Sequence, residues 1–250
     1  MPIFSLEGRV AMVTGCNKGL GQAMAVALAE AGADIVGVNR READQTRQRI
    51  ASLGRRYISV EAELGKDRPA DMVERAVTEA GQIDILVNNA GMIRRAPALE
   101  FSEDDWDSVI DVNLKAAFFL AQHAARHMIE RGTGGKIIHV ASMLSFQGGI
   151  RVPSYTASKS GILGLTRLMA NEWASQGVNV NAIAPGYMAT DNTQALRDDP
   201  ERSAEILGRI PAGRWGNPDD LAGAVVFLAS PASDYVHGHT LAVDGGWLAR

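Results

Sequence analysis

Along the chain, short runs of aliphatic and β-branched residues alternate with longer stretches whose apolar positions recur at helical spacing. Seven runs have the length and composition of strands, over residues 9–14, 34–39, 56–60, 84–88, 135–142, 178–184 and 240–244. Runs such as Ile83 to Val87 and Lys136 to Val140 are apolar nearly throughout. That pattern belongs to strands covered by helices on both faces, and so to a parallel sheet. Helical periodicity fills the gaps: one helix should run to about Ala31, a long one should cover 103–130, and another should run from Tyr155 to about Ala174. The alternation predicts an α/β chain with a doubly wound, Rossmann-like parallel sheet. No linker or fixed-period repeat interrupts it, so residues 1–250 read as a single domain, with a mobile lid at about 190–215, the one long stretch without a strand.

Composition narrows the partners. With 250 residues, 46% of them hydrophobic, the chain can bury about three quarters of its unfolded surface. Its 25 Lys and Arg and 29 Asp and Glu are scattered, with no basic block to meet nucleic acid or anionic lipid. No apolar run approaches the roughly 20 residues of a membrane span, and Met1 to Arg9 lacks the layout of a signal peptide, so the cytoplasm is the expected location. Cys16 is the single cysteine, which leaves no intrachain disulfide and a thiol that could be accessible in its turn. His123 and His127 lie four apart but lack a third ligand, so no metal site is expected.

The candidate chemistry begins after the first strand. Thr14, Gly15, Cys16, Asn17, Lys18, Gly19, Leu20 and Gly21 form a TGxxxGxG turn that opens a helix, a place where backbone amides and the helix dipole can hold a pyrophosphate. Asn88, Asn89, Ala90 and Gly91 follow the fourth strand and can line a nucleotide. At the end of the second strand an acid would bind the ribose hydroxyls and repel a 2′-phosphate. Asn39 stands there instead, followed by Arg40 and Arg41, which leaves NAD and NADP both open. Further on, Tyr155 and Lys159 lie one helical turn apart on one face. An ammonium beside a phenol favours the phenolate, which suits proton exchange with an alcohol or ketone. Ser142, at the end of a strand, can donate to the same substrate oxygen. Asn113, a mediocre helix former inside the 103–130 helix, can hold a water linking Lys159 to solvent.

These motifs, in this order and spacing, resemble the short-chain dehydrogenases/reductases over essentially the whole chain. The resemblance implies Tyr155 as general acid/base, Lys159 also on the nicotinamide ribose, and Ser142 orienting the substrate. It further implies that Pro185, Gly186, Met188 and Thr190 border the nicotinamide and that Glu63, where the family usually has Asp, and Leu64 flank the adenine. The segments 91–95, 141–161, 210–216 and 242–250 are similar to one branch, the 2-deoxy-D-gluconate 3-dehydrogenases, which act on keto-deoxy hexonates. That branch implies NAD(H) as the favoured cofactor, with NADP(H) accepted, and the family implies a homotetramer. An acidic keto sugar agrees with the polar residues available near Tyr155: Arg94, Arg95, Gln147, Arg151, Asn192 and Thr193, with Arg151 the first candidate for the carboxylate. Two alternatives stay open: a 3-oxoacyl carrier-protein reductase, and a cofactor-binding sensor without turnover.

Overall fold

A computed structural model describes residues 2–250. The chain order is β1 (Val10–Thr14), α1 (Gly19–Glu30), β2 (Asp34–Asn39), α2 (Asp44–Ser52), β3 (Tyr57–Glu61), α3 (Pro69–Ala80) and β4 (Ile85–Asn88). There follow α4 (Glu103–Ile110), α5 (Ala117–Glu130), β5 (Gly135–Val140), α6 (Pro153–Trp173) and β6 (Val178–Pro185). The chain ends with α7 (Gln194–Arg197), α8 (Pro200–Arg209), α9 (Ala222–Ala229) and β7 (Thr240–Val243). All seven expected strands are present, and they form one sheet in the order β3-β2-β1-β4-β5-β6-β7, parallel throughout. This is the doubly wound architecture read from the alternation.

The apolar runs are explained by the two cores. In β1, Ala11 and Val13 pack with α1 and α9, whereas Val10 and Met12 pack with α3, α5 and α6. Neither face of the strand sees water, so neither can be polar. The strand order changes direction between β1 and β4, and the loops leaving their carboxyl ends open a crevice there, the usual ligand position in such sheets.

The expected 103–130 helix is divided. Residues Asp111–Ala116 make a π-helical turn between α4 and α5, a feature that periodicity does not reveal and that recurs at functional sites. The 190–215 segment holds no strand of the sheet; α7 and α8 occupy it. Trp106, Phe119 and Leu168 remain exposed on α4, α5 and α6. At the opposite edge from the crevice, near the amino ends of the central strands, Arg9, Asp84, Lys136 and His237 line a cavity of about 360 Å³. No helix among the described residues is long and apolar enough to cross a membrane.

Candidate active site

The glycine turn is held from both sides. Thr14 Oγ1 accepts hydrogen bonds from the backbone amides of Asn89 and Ala90, and Asn89 Nδ2 donates to the carbonyls of Thr14 and Gly15. The β1 and β4 loops are thus one unit. Lys18 precedes α1 without capping it by its side chain, so the amides of Gly19, Leu20 and Gly21 have no partner within the helix. Gly19 sits at φ +57, and a Cβ there would meet only Thr190 Cγ2, at 3.8 Å. Free amides facing open space between Gly19 and Thr190 are what a bound pyrophosphate requires, so these residues fit a dinucleotide. Lys18 reaches across that space to pair with Asp191 at 2.5 Å, and Asn17 is exposed beside it.

The adenosine side is more particular. Asn39 is buried, while Arg40 and Arg41 are exposed and have no ion-pair partner among the described residues. Glu63 is engaged by Lys66 at 3.2 Å, and Leu64 packs against the α3–α5 core. Cys16 is not the accessible thiol the turn suggested. It is fully buried, and burial pushes its pKa up, which argues against thiolate chemistry.

Across the crevice, α6 begins with Pro at its first turn and carries Tyr155 and Lys159 toward the end of β5. Lys159 is 5% exposed; its Nζ donates to the Val140 carbonyl at 2.6 Å and lies 5.7 Å from the centre of the Tyr155 ring. Burial without an acidic partner brings its pKa down to about 8. Burial pushes the half-buried Tyr155 phenol up, while the Ser142 hydroxyl and the charge of Arg95 pull it back. Ser142 caps the short turn after β5, accepting from the Leu144 amide at 3.2 Å. Ser145 ties that turn to α6 by donating to the Lys159 carbonyl at 2.7 Å. The structure therefore brings Ser142, Tyr155 and Lys159 side by side.

Asn113 has a structural part beside the water bridge expected of it. Its amide grips the loop after β4: Nδ2 donates to the Met92 carbonyl and to Ser158 Oγ, and Oδ1 accepts from the Met92 amide at 2.8 Å. Both amide protons are used, and the π turn is what sets this side chain against Gly91. His139 was not legible in advance. It is buried in β5 between Asn88 and Lys159, and burial with the Lys159 charge holds it neutral, near a pKa of about 4. Its only signal was a histidine in a largely apolar strand.

The polar residues near the mouth separate. Arg94, expected near the substrate, is engaged by Asp105 on α4 at 3.1 Å. Arg95 bonds the Asn192 carbonyl at 3.2 Å and is close enough to influence Tyr155; Asn192 itself is exposed. Arg151 is exposed at φ +61, and its carbonyl accepts from the Ala96 amide, pinning the two loops together. A left-handed conformation at a non-glycine residue is uncommon and clusters at functional sites. Gln147 accepts from Arg209, whose guanidinium stacks 4.1 Å from the Trp247 ring; Arg209 escaped the sequence reading. Pro185 and Gly186 end β6 at the crevice, with Gly186 bonded to the Val243 carbonyl. Met188, expected at the nicotinamide, sends its side chain into the core beside Gly216, leaving only its backbone for such a role.

Residues 15–248 match a family model described as enoyl-(acyl carrier protein) reductase. The chain is 67% identical, over 99% of its length and 98% of the relative's, to the 2-dehydro-3-deoxy-D-gluconate 5-dehydrogenase of Escherichia coli (strain K12). A crystal structure from Agrobacterium tumefaciens with bound NADP, assigned as a 2-deoxy-d-gluconate 3-dehydrogenase, is 58% identical with a TM-score of 0.95, covering 100% of both chains. The gluconate 5-dehydrogenase of Burkholderia cenocepacia J2315, solved with NADP and tartrate, is 42% identical with a TM-score of 0.95, covering 100% of this chain and 98% of that one. With the glycine turn, the crevice and this similarity across the whole length, the chain belongs to the short-chain dehydrogenase/reductase family and is an oxidoreductase that uses a nicotinamide cofactor.

Proposed function

We propose that the protein interconverts a secondary alcohol and a ketone on a keto-deoxy hexonate, of the kind named for its relatives, with Ser142, Tyr155 and Lys159 carrying the proton chemistry. The observation that supports this most is the buried, acid-free Lys159 beneath the Tyr155 ring. A nicotinamide held in the crevice would be the source of the hydride for the carbonyl carbon in the reducing direction. Tyr155 gives its proton to the carbonyl oxygen, so that hydride and proton together make the alcohol, and oxidation runs the same path backwards. The Lys159 ammonium stabilises the phenolate left behind, and Ser142 donates to the same oxygen. Asn113 keeps the loop that borders the cofactor in place. The segment 190–215, latched to the glycine turn through Lys18 and Asp191, serves as the lid over the substrate.

For the substrate carboxylate the geometry favours Arg95, with Arg151 on the adjoining loop and the Asn192 carbonyl as its anchor. Arg95 has no acidic partner among the described residues, whereas Arg94 is taken by Asp105. An acyl carrier protein substrate is less well served by a mouth of polar side chains. Arg95→Ala should lower kcat/KM for a keto-deoxy hexonate about 10- to 150-fold, the loss of one charge-assisted bond. The neutral analogue with its carboxylate reduced to an alcohol should be a poor substrate that loses little further. Equal losses on acid and analogue would remove Arg95 from the carboxylate site.

The expected preference for NAD(H), with NADP(H) accepted, is turned round: the relatives solved with NADP, and the free charges of Arg40 and Arg41, favour NADP(H). Arg40, exposed next to Asn39, is the first candidate to meet a 2′-phosphate. Arg40→Ala should raise KM for NADPH about tenfold or more, equivalent to about 1.4 kcal/mol, and leave NADH within about twofold. A variant whose NADPH kinetics match wild type would return Arg40 to solvent.

A further inference from the structure

Asn39, at the carboxyl end of β2, is 5% exposed, and its amide protons are directed inward. Nδ2 donates to the Tyr57 oxygen at 3.2 Å and to Cys16 Sγ at 3.5 Å. The Cys16 sulfur and the Tyr57 oxygen are themselves 3.6 Å apart, which closes a triangle beneath the glycine turn. Tyr57 enters from the neighbouring strand β3, and it fits only because β2 has glycine at position 37. A Cβ there would stand 2.0 Å from the Tyr57 oxygen and 2.8 Å from the Cys16 sulfur. The far side is fixed as well: Thr46 Oγ1 donates to the Cys16 carbonyl at 2.7 Å and accepts from Gln22 Nε2 at 2.8 Å. Burial pushes both the phenol and the thiol up, so the triangle is uncharged. One polar atom of Asn39 has no partner, the buried Oδ1. A buried acceptor left open calls for a donor from a ligand or water.

We propose that Tyr57, with Cys16, is a positioning residue for cofactor selection: it turns the Asn39 amide so that oxygen, and not nitrogen, is offered to the adenosine ribose. The inference rests on the reading of Asn39 as the ribose contact. An amide oxygen accepts from a 2′-hydroxyl, but it has no proton for a 2′-phosphate, whose oxygens are themselves acceptors. The triangle thus favours NAD(H) at the same edge where Arg40 attracts NADP(H). Released from Tyr57, the amide can rotate and present Nδ2 to a phosphate.

The test is steady-state kinetics with NAD⁺ and NADP⁺ on wild type, Tyr57→Phe, Asn39→Asp, Asn39→Ala and the Tyr57→Phe/Asn39→Ala double variant. Tyr57→Phe should raise KM for NAD⁺ and shift the kcat/KM ratio toward NADP⁺ by about fivefold or more, with kcat within about twofold for either cofactor. In the Asn39→Ala background the same change should add no shift, because the effect passes through Asn39. A Tyr57→Phe enzyme whose two KM values move together, or whose shift survives in that background, overturns the proposal. Asn39→Asp separates the premises: a carboxylate at the ribose must disfavour NADP⁺. If it leaves the ratio unchanged, the ribose contact is wrong and the inference falls with it; if it shifts the ratio while Tyr57→Phe does not, the inference alone falls. Should Tyr57→Phe fold poorly, Cys16→Ala removes the other partner of the amide and is held to the same criteria.

Discussion

Tyr155→Phe is expected to cut turnover about 100- to 10,000-fold while leaving cofactor affinity within about twofold of wild type. The substitution removes one hydroxyl from a half-buried ring. The contact between that ring and Lys159 stays, and so does the bond from Lys159 to the Val140 carbonyl. What disappears is the proton given to the substrate oxygen, and nothing adjacent replaces it. His139 is held neutral by burial, and the Ser142 hydroxyl is a far weaker acid than a phenol, fitted to donate a hydrogen bond to that oxygen and not to give up its proton. Single-turnover rates, combined with a fluorescence titration of cofactor, distinguish the two properties. A variant keeping more than about a tenth of the wild-type rate, a barrier change under about 1.4 kcal/mol, would remove Tyr155 from the proton transfer.

The second large effect lies at the other end of the sheet and concerns stability. Asp84 is 2% exposed at the entrance to β4, where it accepts from the Val10 amide and Gln82 at 2.8 Å, pairs with Arg9 at 3.4 Å and is bonded by Arg131. Asp84→Ala takes the acceptor away from the Val10 amide, Gln82 and Arg131, and Arg131 already has one buried nitrogen, Nη1, without a partner. Breaking a buried pair from one side costs about 3 to 5 kcal/mol, a large fraction of the stability of an ordinary domain. For a chain of this size each kcal/mol lowers Tm by about 2 to 4 °C. Denaturant unfolding should show the loss, and activity per folded molecule at 25 °C should persist, because Asp84 faces the edge away from the crevice. A cost under about 1 kcal/mol would show that the cavity admits enough water to solvate the arginines.

The strands were legible because a strand covered on both faces is mostly apolar, and β1, β2 and β6 are buried nearly throughout with few polar residues among them. The glycine turn and the Tyr155/Lys159 spacing were legible for a similar reason: each is a local pattern with its chemistry within one turn of chain. What could not be read depends on contacts made far along the sequence. Cys16 reads as a loop thiol until Tyr57, 41 residues away, fills the gap at Gly37 and buries it. Arg94 and Arg95 are indistinguishable as letters; Asp105 on α4 takes the first and leaves the second at the mouth. Met188 lies in a segment that follows the crevice, yet the Met188–Gly216 bridge turns its side chain inward. Arg209 becomes noticeable only once Trp247, 38 residues on, lies under it.

The π turn at Asp111–Ala116 also sets the phase of the helical rod that runs from Glu103 to Glu130. One extra residue in a helix turns everything downstream by about 100° relative to an unbroken helix. The buried stripe therefore does not continue in line from Val109 on α4 to Leu120 and Ala124 on α5. Upstream of the turn the rod packs against α6; downstream it packs against α3, β4 and β5. A straight rod with a single stripe could serve only one of these neighbours. The residue inserted at the turn acts as a gear offset, letting one rod press α6 and its Tyr155 and Lys159 from one side while its lower half closes the core, with Asn113 at the offset itself.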